Sequence, residues 1–268
     1  KVGAITEKGP SMAPRAGNQG QRAVETPAGM LNSVGLENPG SDYFLQETLP
    51  QLRQYDVPVI VNIDGSSPEE YGRLAAKLDV DGVAAVEINV SCPNVNDGGI
   101  IFGTDAKSLA KVVEQVKKHT SKIVITKLSP NVTSITEMAK AAEAAGTDVL
   151  SLINTLIGMK IDIQRQCPAL GNVTGGLSGP CIRPVAVRMV YQVAQAVKVP
   201  IIGMGGIMNA EDAVEFFLAG ASAIAVGTAN FINPSIAETI SPGILEYMDR
   251  HNIRQIEDMI GLALPGRN

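Results

Sequence analysis

The sequence predicts an α/β protein in which parallel strands alternate with helices to form a single (β/α)8 barrel. Short apolar runs alternate with amphipathic helical stretches from one end of the chain to the other. Most of these runs are continuously apolar, as is typical of parallel strands buried on both faces of a sheet. No break in composition divides the 268 residues, so we expect one domain over residues 1–268. A doubly wound open sheet is the competing architecture, because it shows the same alternation.

Seven segments are predicted to be strands, and they lie at residues 2–6, 57–63, 83–90, 122–128, 148–153, 199–204 and 223–227. A closed barrel of this kind needs eight. The last two segments run into GMGG and VGT, and the loops after strands seven and eight often bind phosphate in such barrels. The segment at 2–6 is therefore predicted to be strand two. We expect the first strand to be missing from the N-terminal side and the natural protein to be roughly 35–45 residues longer.

The helices between these strands have recognisable N-terminal signals. Ser67 precedes a proline and is predicted to cap one helix, and another helix is expected to follow Thr104. Ser134 and Glu137 have the spacing of a capping box. Asn209 is predicted to begin a helix that ends at a glycine.

Composition argues against several classes of protein. The net charge is −5 and no segment is densely basic, so no nucleic-acid partner is expected. No apolar run reaches the roughly 18–20 residues of a transmembrane helix, so no membrane association is expected. The three cysteines lack the spacing of a zinc site or a disulfide framework, and the chain has only two histidines. We therefore expect no metal site and a cytoplasmic location.

Polar side chains collect where the predicted strands end, which is where reactive groups lie in barrels of this kind. These positions hold amides, two lysines, a hydroxyl and one thiol, in chain order Lys8, Asn62, Asn89, Cys92, Asn94, Lys127, Asn154 and Thr155. Amide side chains donate and accept hydrogen bonds, which suits a planar heterocycle with carbonyl and N–H edges. A lysine near a flavin pyrimidine ring can stabilise the negative charge that develops on reduction.

Cys92 and Lys127 each have a structural and a functional interpretation. A lone cysteine is more often a small buried apolar residue than a nucleophile. Cys92, however, follows a strand end between Asn89 and Asn94, which favours a reactive thiol. Lys127 lies in the apolar strand IVITKL, where a neighbouring carboxylate could satisfy its charge. Because an apolar strand rarely ends in a buried cation without a task, we favour a functional lysine.

Glycine-containing segments indicate contact with a ligand. Gly205 and Gly206 taken alone could be turn residues, but Gly227 and Thr228 follow the next strand, and together the two sites favour phosphate binding. The segment GNVTGGLSGP at 171–180 is predicted to be a loop over a ligand, with a flexible connector as the alternative. The segment MLNSVGLENPG at 30–40 is predicted to be a loop rich in amides and glycine.

Seven motifs that occur together in one order are highly specific for a protein family. In chain order they are EINVSCPNVNDGG, FGTD, KLSPNVT, INTLIGM, NVTGGLSGP, PIIGMGGI and GASAIAVGTANF. With them the chain, from Lys8 onward, closely resembles the catalytic subunit of the class 1 dihydroorotate dehydrogenases. The nearer branch works with an iron–sulfur flavoprotein subunit and passes electrons to NAD. The resemblance implies a TIM barrel that holds FMN and oxidises dihydroorotate to orotate in pyrimidine biosynthesis.

The resemblance also implies roles for individual residues. Cys92 would be the catalytic base, with hydride transfer to FMN. The substrate is expected to contact Lys8, Asn32, Val34, Gly35, Leu36, Asn89, Asn94, Asn154 and Thr155. FMN is expected to contact Lys8, Asn62, Asn89, Lys127, Ile153, Gly179, Gly205, Gly206, Gly227 and Thr228.

The same resemblance implies partner subunits. We expect a homodimer, and a heterotetramer with an electron-transfer subunit that carries FAD and an iron–sulfur cluster. Cys167 and Cys181 are too few and wrongly spaced to hold a cluster on this chain. Members of the family also have a first strand and an ASG-type loop before the point where this sequence begins. After Lys8 they usually have Ala or Thr, where this chain has Gly9.

Three alternatives stay open at this point. A related FMN barrel could act on another reduced pyrimidine such as dihydrouracil, because the same amides suit both substrates. A phosphate-binding lyase or aldolase could use Lys127 to form a Schiff base. A catalytically silent barrel could serve as an assembly partner.

Overall fold

A computed structural model describes residues 2–90 and 102–266. In these residues the strands are β1 (Ile5–Glu7), β2 (Ala23–Thr26), β3 (Gly29–Asn32), β4 (Val59–Ile63), β5 (Val83–Asn89), β6 (Ile123–Leu128), β7 (Val149–Leu152), β8 (Leu156–Met159), β9 (Ile161–Asp162), β10 (Cys167–Pro168), β11 (Thr174–Ser178), β12 (Ile201–Met204) and β13 (Ala223–Ala225). The helices are α1 (Ser41–Tyr43), α2 (Leu49–Leu52), α3 (Pro68–Lys77), α4 (Ala106–His119), α5 (Ile135–Ala144), α6 (Arg183–Ala194), α7 (Ala210–Leu218), α8 (Ala229–Ile232), α9 (Ile236–Arg250) and α10 (Ile256–Met259). A π-helical turn covers Phe44–Thr48 and a 3-10 turn covers Pro180–Ile182.

Seven strands form a parallel sheet in the order β1-β4-β5-β6-β7-β12-β13. Each of the seven predicted segments overlaps one of these strands, although several strands are shorter than predicted. The spatial order follows the chain order throughout, as in a barrel, whereas a doubly wound sheet reverses its order at a switch point. β1 and β13 are the outer strands of this order, and the expected eighth strand stays a prediction.

The strands are continuously apolar because both of their faces are covered. Val61, Ile88 and Leu150, from three strands of this sheet, have no solvent-exposed surface. Helices α3, α4, α5, α6 and α7 contact one another in chain order and pack against the strands. This packing places the main core between the sheet and the helices and leaves the C-terminal ends of the strands on one edge.

Side-chain caps begin the helices largely as predicted. Ser67, Ser134 and Asn209 each accept a hydrogen bond from the backbone N–H three residues later. The helix expected to follow Thr104 begins one residue later than predicted. α4 begins at Ala106, and the carboxylate of Asp105 accepts from the Ser108 N–H at 2.8 Å, because it is Asp105 that stands immediately before the first helical residue.

The prediction of a loop at 171–180 is wrong, because half of this segment is the strand β11. A second, antiparallel sheet has the order β2-β3-β11-β8. Its glycines permit close packing of the backbone: a Cβ on Gly175 would lie 2.6 Å from the Asn32 carbonyl oxygen, and one on Gly176 would lie 2.1 Å from Thr155 Oγ1. The glycine-rich composition suggested a loop. The strand nevertheless needs these glycines, because its neighbours lie too close for a side chain at these positions.

The predicted loop at 30–40 is also partly wrong, because its first residues belong to β3. This strand is paired on both sides, with β2 and with β11. The remainder is irregular, and Gly35 and Leu36 have positive φ angles of 75° and 57°. In the described part of the chain no helix is both long and apolar enough to cross a lipid bilayer.

Candidate active site

A cavity of about 290 Å³ lies at the C-terminal edge of the parallel sheet. It is bordered by residues of β5 and β6 and by the segments that follow β7, β11, β12 and β13. Many of the predicted site residues line it, namely Lys127, Ile153, Asn154, Thr155, Gly179, Gly205, Gly206, Gly227 and Thr228. These residues are distant in sequence and meet here because parallel strands of one sheet end at the same edge.

The glycines on the cavity wall have conformations or surroundings that disfavour a side chain. Gly179, Gly205 and Gly206 have φ angles of 98°, 125° and 79°, a region that L-residues with side chains rarely adopt. A Cβ on Gly206 would also lie 2.8 Å from the Gly179 carbonyl oxygen. At Gly227 a Cβ would meet no atom within 4 Å, so its backbone borders open space.

Glu87 is a cavity residue that sequence reasoning missed. Its side chain is 3% exposed, and it lies in β5 two residues before Asn89. Its carboxylate accepts hydrogen bonds from Asn62 Nδ2 at 2.6 Å and from Ser151 Oγ at 2.7 Å. Lys127 Nζ lies 3.7 Å from the same group. Lys127 therefore has both properties considered for it, a carboxylate partner and a position on the cavity wall.

A chain of amide and hydroxyl groups connects the ends of β5 and β7. Asn154 Nδ2 donates to Asn89 Oδ1 at 3.0 Å, and Asn154 Oδ1 accepts from the Thr155 backbone N–H at 2.8 Å. Asn131, which was not predicted, donates from Nδ2 to the Thr155 carbonyl oxygen at 2.9 Å and accepts from the Ile157 N–H at 2.9 Å. The orientation of these predicted substrate contacts is thus determined by hydrogen bonds within the chain.

The second antiparallel sheet carries another group of predicted substrate contacts. Asn32 is the last residue of β3, and its Nδ2 lies 3.4 Å from the Gly176 carbonyl oxygen. Val34, Gly35 and Leu36 follow in the irregular segment. The structure places these residues on one connected segment, beside the strand that contacts Thr155.

Lys8 lies after β1 and donates a hydrogen bond from Nζ to the Glu37 carbonyl oxygen. It borders a second, more open cavity of about 460 Å³, together with Arg15, Glu37, Asn38 and Pro39. The structure thus places Lys8 against the segment that follows β3, while Lys127 lines the first cavity.

Asp64, just after the end of β4, is a buried carboxylate with an incomplete set of partners. Its side chain is 3% exposed and neither oxygen accepts a hydrogen bond. Arg15 Nη2 lies 3.6 Å away, close enough for attraction but not for a hydrogen bond. Burial raises the pKa of Asp64 to about 6, against a smaller opposing effect of Arg15. No sequence pattern distinguished this aspartate from an ordinary surface one.

Cys92 and Asn94 lie outside the described residues, so their predicted roles stay predictions. Cys167 is half-buried and Cys181 is exposed, and both are free thiols. Within residues 2–90 and 102–266, no group of three or more His, Cys, Asp or Glu side chains could hold a metal ion.

Comparison with known proteins identifies the family. A family model described as dihydroorotate dehydrogenase matches residues 1–248. The chain is 58% identical over 265 residues to the dihydroorotate dehydrogenase B (NAD(+)), catalytic subunit, of Geotalea uraniireducens (strain Rf4), covering 98% of this chain and 87% of that protein. It is 56% identical over 261 residues to the protein of the same name from Lachnoclostridium phytofermentans (strain ATCC 700394 / DSM 18823 / ISDg), covering 97% and 87%.

A solved structure shows the same fold at lower identity. The crystal structure of DHODH in complex with ferulenol from Eimeria tenella aligns with a TM-score of 0.82 and 21% identity, over 95% of this chain and 77% of that chain. The predicted α/β barrel class is confirmed by this likeness and by the seven-stranded parallel sheet. The predicted resemblance is confirmed by the family model and the relatives, and the chain belongs to the dihydroorotate dehydrogenase family.

Proposed function

We propose that this protein oxidises dihydroorotate to orotate in pyrimidine biosynthesis, with FMN as its bound cofactor. One structural observation carries the proposal: residues predicted to contact FMN or substrate, drawn from the ends of β6, β7, β11, β12 and β13, border a single cavity. Membership of the dihydroorotate dehydrogenase family supports the same reaction. It favours this reaction over the Schiff-base lyase and the silent barrel.

The donors that follow β12 and β13 suit the phosphate of FMN. Gly205, Gly206 and Gly227 present backbone without side chains, and Thr228 adds a hydroxyl. Glycine backbone N–H groups in such loops bind phosphate in many barrels, because no side chain prevents the anion from approaching. Lys127 would stabilise negative charge at the pyrimidine end of the flavin.

The amides at the ends of β5 and β7 suit the substrate. Asn154 and Thr155 line the cavity, and Asn89 is hydrogen-bonded to Asn154. We assign them, with Asn32, Asn94 and the segment 34–36, to hold the pyrimidine ring so that its reacting C–H bonds face their acceptors. Positioning of this kind contributes up to about 7–11 kcal/mol in the best intramolecular cases. Lys8 is assigned to contact both substrate and flavin.

Cys92 is proposed as the base that removes a proton from the carbon next to a ring carbonyl. A free cysteine has a pKa of about 8.5, so a thiolate is accessible at modest cost, and a well-placed base contributes about 10²–10⁴-fold. Bound FMN would supply the hydride acceptor for the adjacent carbon.

The partner subunit belongs to the same proposal. Relatives more than half identical to this chain are named as the catalytic subunit of an enzyme that uses NAD(+). We propose that this chain is likewise a single FMN-binding domain, that it forms a homodimer, and that an electron-transfer subunit with FAD and an iron–sulfur cluster completes a cytoplasmic heterotetramer.

An anaerobic absorbance spectrum tests the proposed reaction. The protein, loaded with FMN, is expected to lose its flavin absorbance when dihydroorotate is added. Dihydrouracil at the same concentration serves as the comparison, and bleaching by dihydrouracil alone would contradict the proposed substrate. Sodium borohydride is the second comparison, since covalent trapping of a substrate on Lys127 would indicate Schiff-base chemistry instead.

A further inference from the structure

We infer that Glu87 offsets the positive charge of Lys127 beside the proposed flavin site and so keeps the reduction potential of the bound flavin lower than Lys127 alone would set it. The inference rests on the proposed FMN site and concerns how the protein sets the reduction potential of the flavin bound there. It assigns a role to the first residue of the EINVSCPNVNDGG motif, for which the sequence predicted none.

The register of the sheet brings these charges together. Across β4 and β5, Asn62 lies opposite Glu87, and across β6 and β7, Lys127 lies opposite Ser151. The Glu87 carboxylate accepts from Asn62 and Ser151, at 2.6 and 2.7 Å, and lies 3.7 Å from Lys127 Nζ. Four neighbouring strands thus contribute to one buried cluster.

The hydrogen-bond donors in this cluster are neutral. Asn62 and Ser151 hydrogen-bond the two carboxylate oxygens of Glu87, but neither carries a charge. A buried carboxylate is costly unless a cation lies close to it. Among the described residues, Lys127 is the cation that lies beside Glu87. The two opposite charges make the pair close to electrically neutral.

The separation of the pair leaves Lys127 able to serve a ligand. At 3.7 Å its ammonium is attracted to Glu87 without a hydrogen bond between them. Its side chain is 22% exposed, whereas that of Glu87 is 3% exposed, and both residues border the cavity. An anion in the cavity would therefore contact Lys127, the more exposed of the two side chains. The positive charge of this lysine is partly offset by the buried Glu87 carboxylate.

Charge at this position acts selectively on one oxidation state of the flavin. Reduction adds negative charge to the pyrimidine end, so a neighbouring positive charge favours the reduced form and a negative charge disfavours it. Removal of the Glu87 charge leaves Lys127 uncompensated. The reduced flavin should then bind more tightly relative to the oxidised flavin.

Glu87→Gln tests this inference, because glutamine preserves the size of the side chain and removes its charge. We expect the ratio of affinities for reduced and oxidised FMN to rise about tenfold, which raises the midpoint potential of a two-electron couple by about 30 mV. Lys127→Met should shift the potential in the opposite direction. Ser151→Ala is the matched control, since it removes one neutral hydrogen bond to Glu87 and leaves both charges in place.

The sign of the shift distinguishes charge compensation from a structural role. If Glu87 only held Lys127 in place, Glu87→Gln would lower the potential as Lys127→Met does, and that result overturns the inference. An unchanged potential also overturns it. Glu87→Asp retains the charge and should restore a potential near that of the wild-type protein, and failure of this rescue contradicts a role for the charge.

The proposed function and this inference fail in different ways. A wild-type protein that takes up no FMN overturns both. In another outcome, the wild-type protein binds FMN and loses its flavin absorbance with dihydroorotate while Glu87→Gln shows no higher potential. That result overturns the inference alone and leaves the proposed function intact. If Glu87→Gln is recovered only as aggregate, the double variant Glu87→Gln/Lys127→Met decides, because it removes both charges of the pair. Its potential should lie above that of Lys127→Met alone, and an equal or lower potential contradicts the inference.

Discussion

Asn154 donates a hydrogen bond from Nδ2 to Oδ1 of Asn89 at 3.0 Å, and this bond connects the end of β5 with the segment after β7. Both residues are predicted to hold the substrate. Because the two amides are hydrogen-bonded to each other, each holds the other in place before any ligand is bound. Less side-chain conformational entropy is then lost when the substrate binds.

Replacement of Asn154 by alanine should weaken substrate binding while FMN is retained. The change removes one substrate contact and leaves Asn89 Oδ1 without this donor. A loss of about 1–2 kcal/mol corresponds to roughly 5–30-fold in the dissociation constant of dihydroorotate. Titration of the flavin spectrum with orotate and dihydroorotate checks this, and an unchanged constant would remove Asn154 from the substrate site.

Gly227→Ala should reduce FMN affinity without reducing stability. A Cβ at this position meets no atom within 4 Å, so the fold accommodates it. If the backbone of Gly227 contacts the phosphate, the same methyl group will obstruct the anion. The matched control is Gly3→Ala, which also meets no atom within 4 Å and lies outside the cavity lining.

Both glycine variants are measured by urea unfolding and by FMN titration. Equal FMN affinities in Gly227→Ala and Gly3→Ala would place the phosphate elsewhere.

Gly176→Ala should disturb the proposed substrate contacts through Thr155, which lines the cavity. The added Cβ would lie 2.1 Å from Thr155 Oγ1 and 2.7 Å from Thr155 Cβ, so one of the two segments must move. Overpacking of this kind typically costs about 1–3 kcal/mol of unfolding free energy. We expect weaker dihydroorotate binding in addition to lower stability.

The control for Gly176→Ala is Gly158→Ala on the paired strand β8. There a Cβ would lie 3.0 Å from the end of the Leu31 side chain, a much less severe contact than the 2.1 Å at Gly176. A similar loss of substrate affinity in both variants would argue against a specific effect on Thr155.

Asp64 should make the protein less stable as the pH rises from about 4 to about 6. Its pKa in the folded protein is about 6 because of burial, whereas an aspartate in the unfolded chain has a pKa near ~3.9. Between these values the folded state retains a proton that the unfolded state releases, so the unfolding free energy falls with increasing pH. The loss amounts to about 3 kcal/mol when complete.

Asp64→Asn should remove this dependence, because an amide does not titrate. Urea unfolding of both proteins at pH 4.5 and pH 7 measures the difference. The variant should gain stability relative to the wild-type protein at the higher pH, and parallel pH profiles would show that Asp64 ionises normally.

Cys92→Ala should retain FMN and lose most turnover at neutral pH, because the proposed base is absent. We expect a fall of about 10²–10⁴-fold in the rate of flavin reduction by dihydroorotate, followed by stopped-flow absorbance. Cys167→Ala is the control, since that thiol lies in β10 of the β9–β10 hairpin. Flavin reduction as fast in Cys92→Ala as in the control would exclude Cys92 as the base.

The sequence alone determined the elements whose signals are local. The seven parallel strands were predicted because burial on both faces demands continuous apolar runs, and the caps at Ser67, Ser134 and Asn209 because a side-chain acceptor must stand next to the first helical turn. The glycines at 205–206 and 227 were identified because two such sites follow consecutive strands. The family was recognised from the order of its motifs.

Only the tertiary structure decided how distant segments pair. Gly176 and Asn32 are neighbours across β11 and β3 although 144 residues separate them, so no local pattern predicted that the glycine-rich segment is a strand. The sequence did not identify Glu87 as a site residue, because it lies in an almost wholly apolar strand. Its partners Asn62, Ser151 and Lys127 lie on three other strands. Periodicity reports which face of an element is buried, whereas the partner of a buried charge depends on contacts between strands that the chain forms only when it folds.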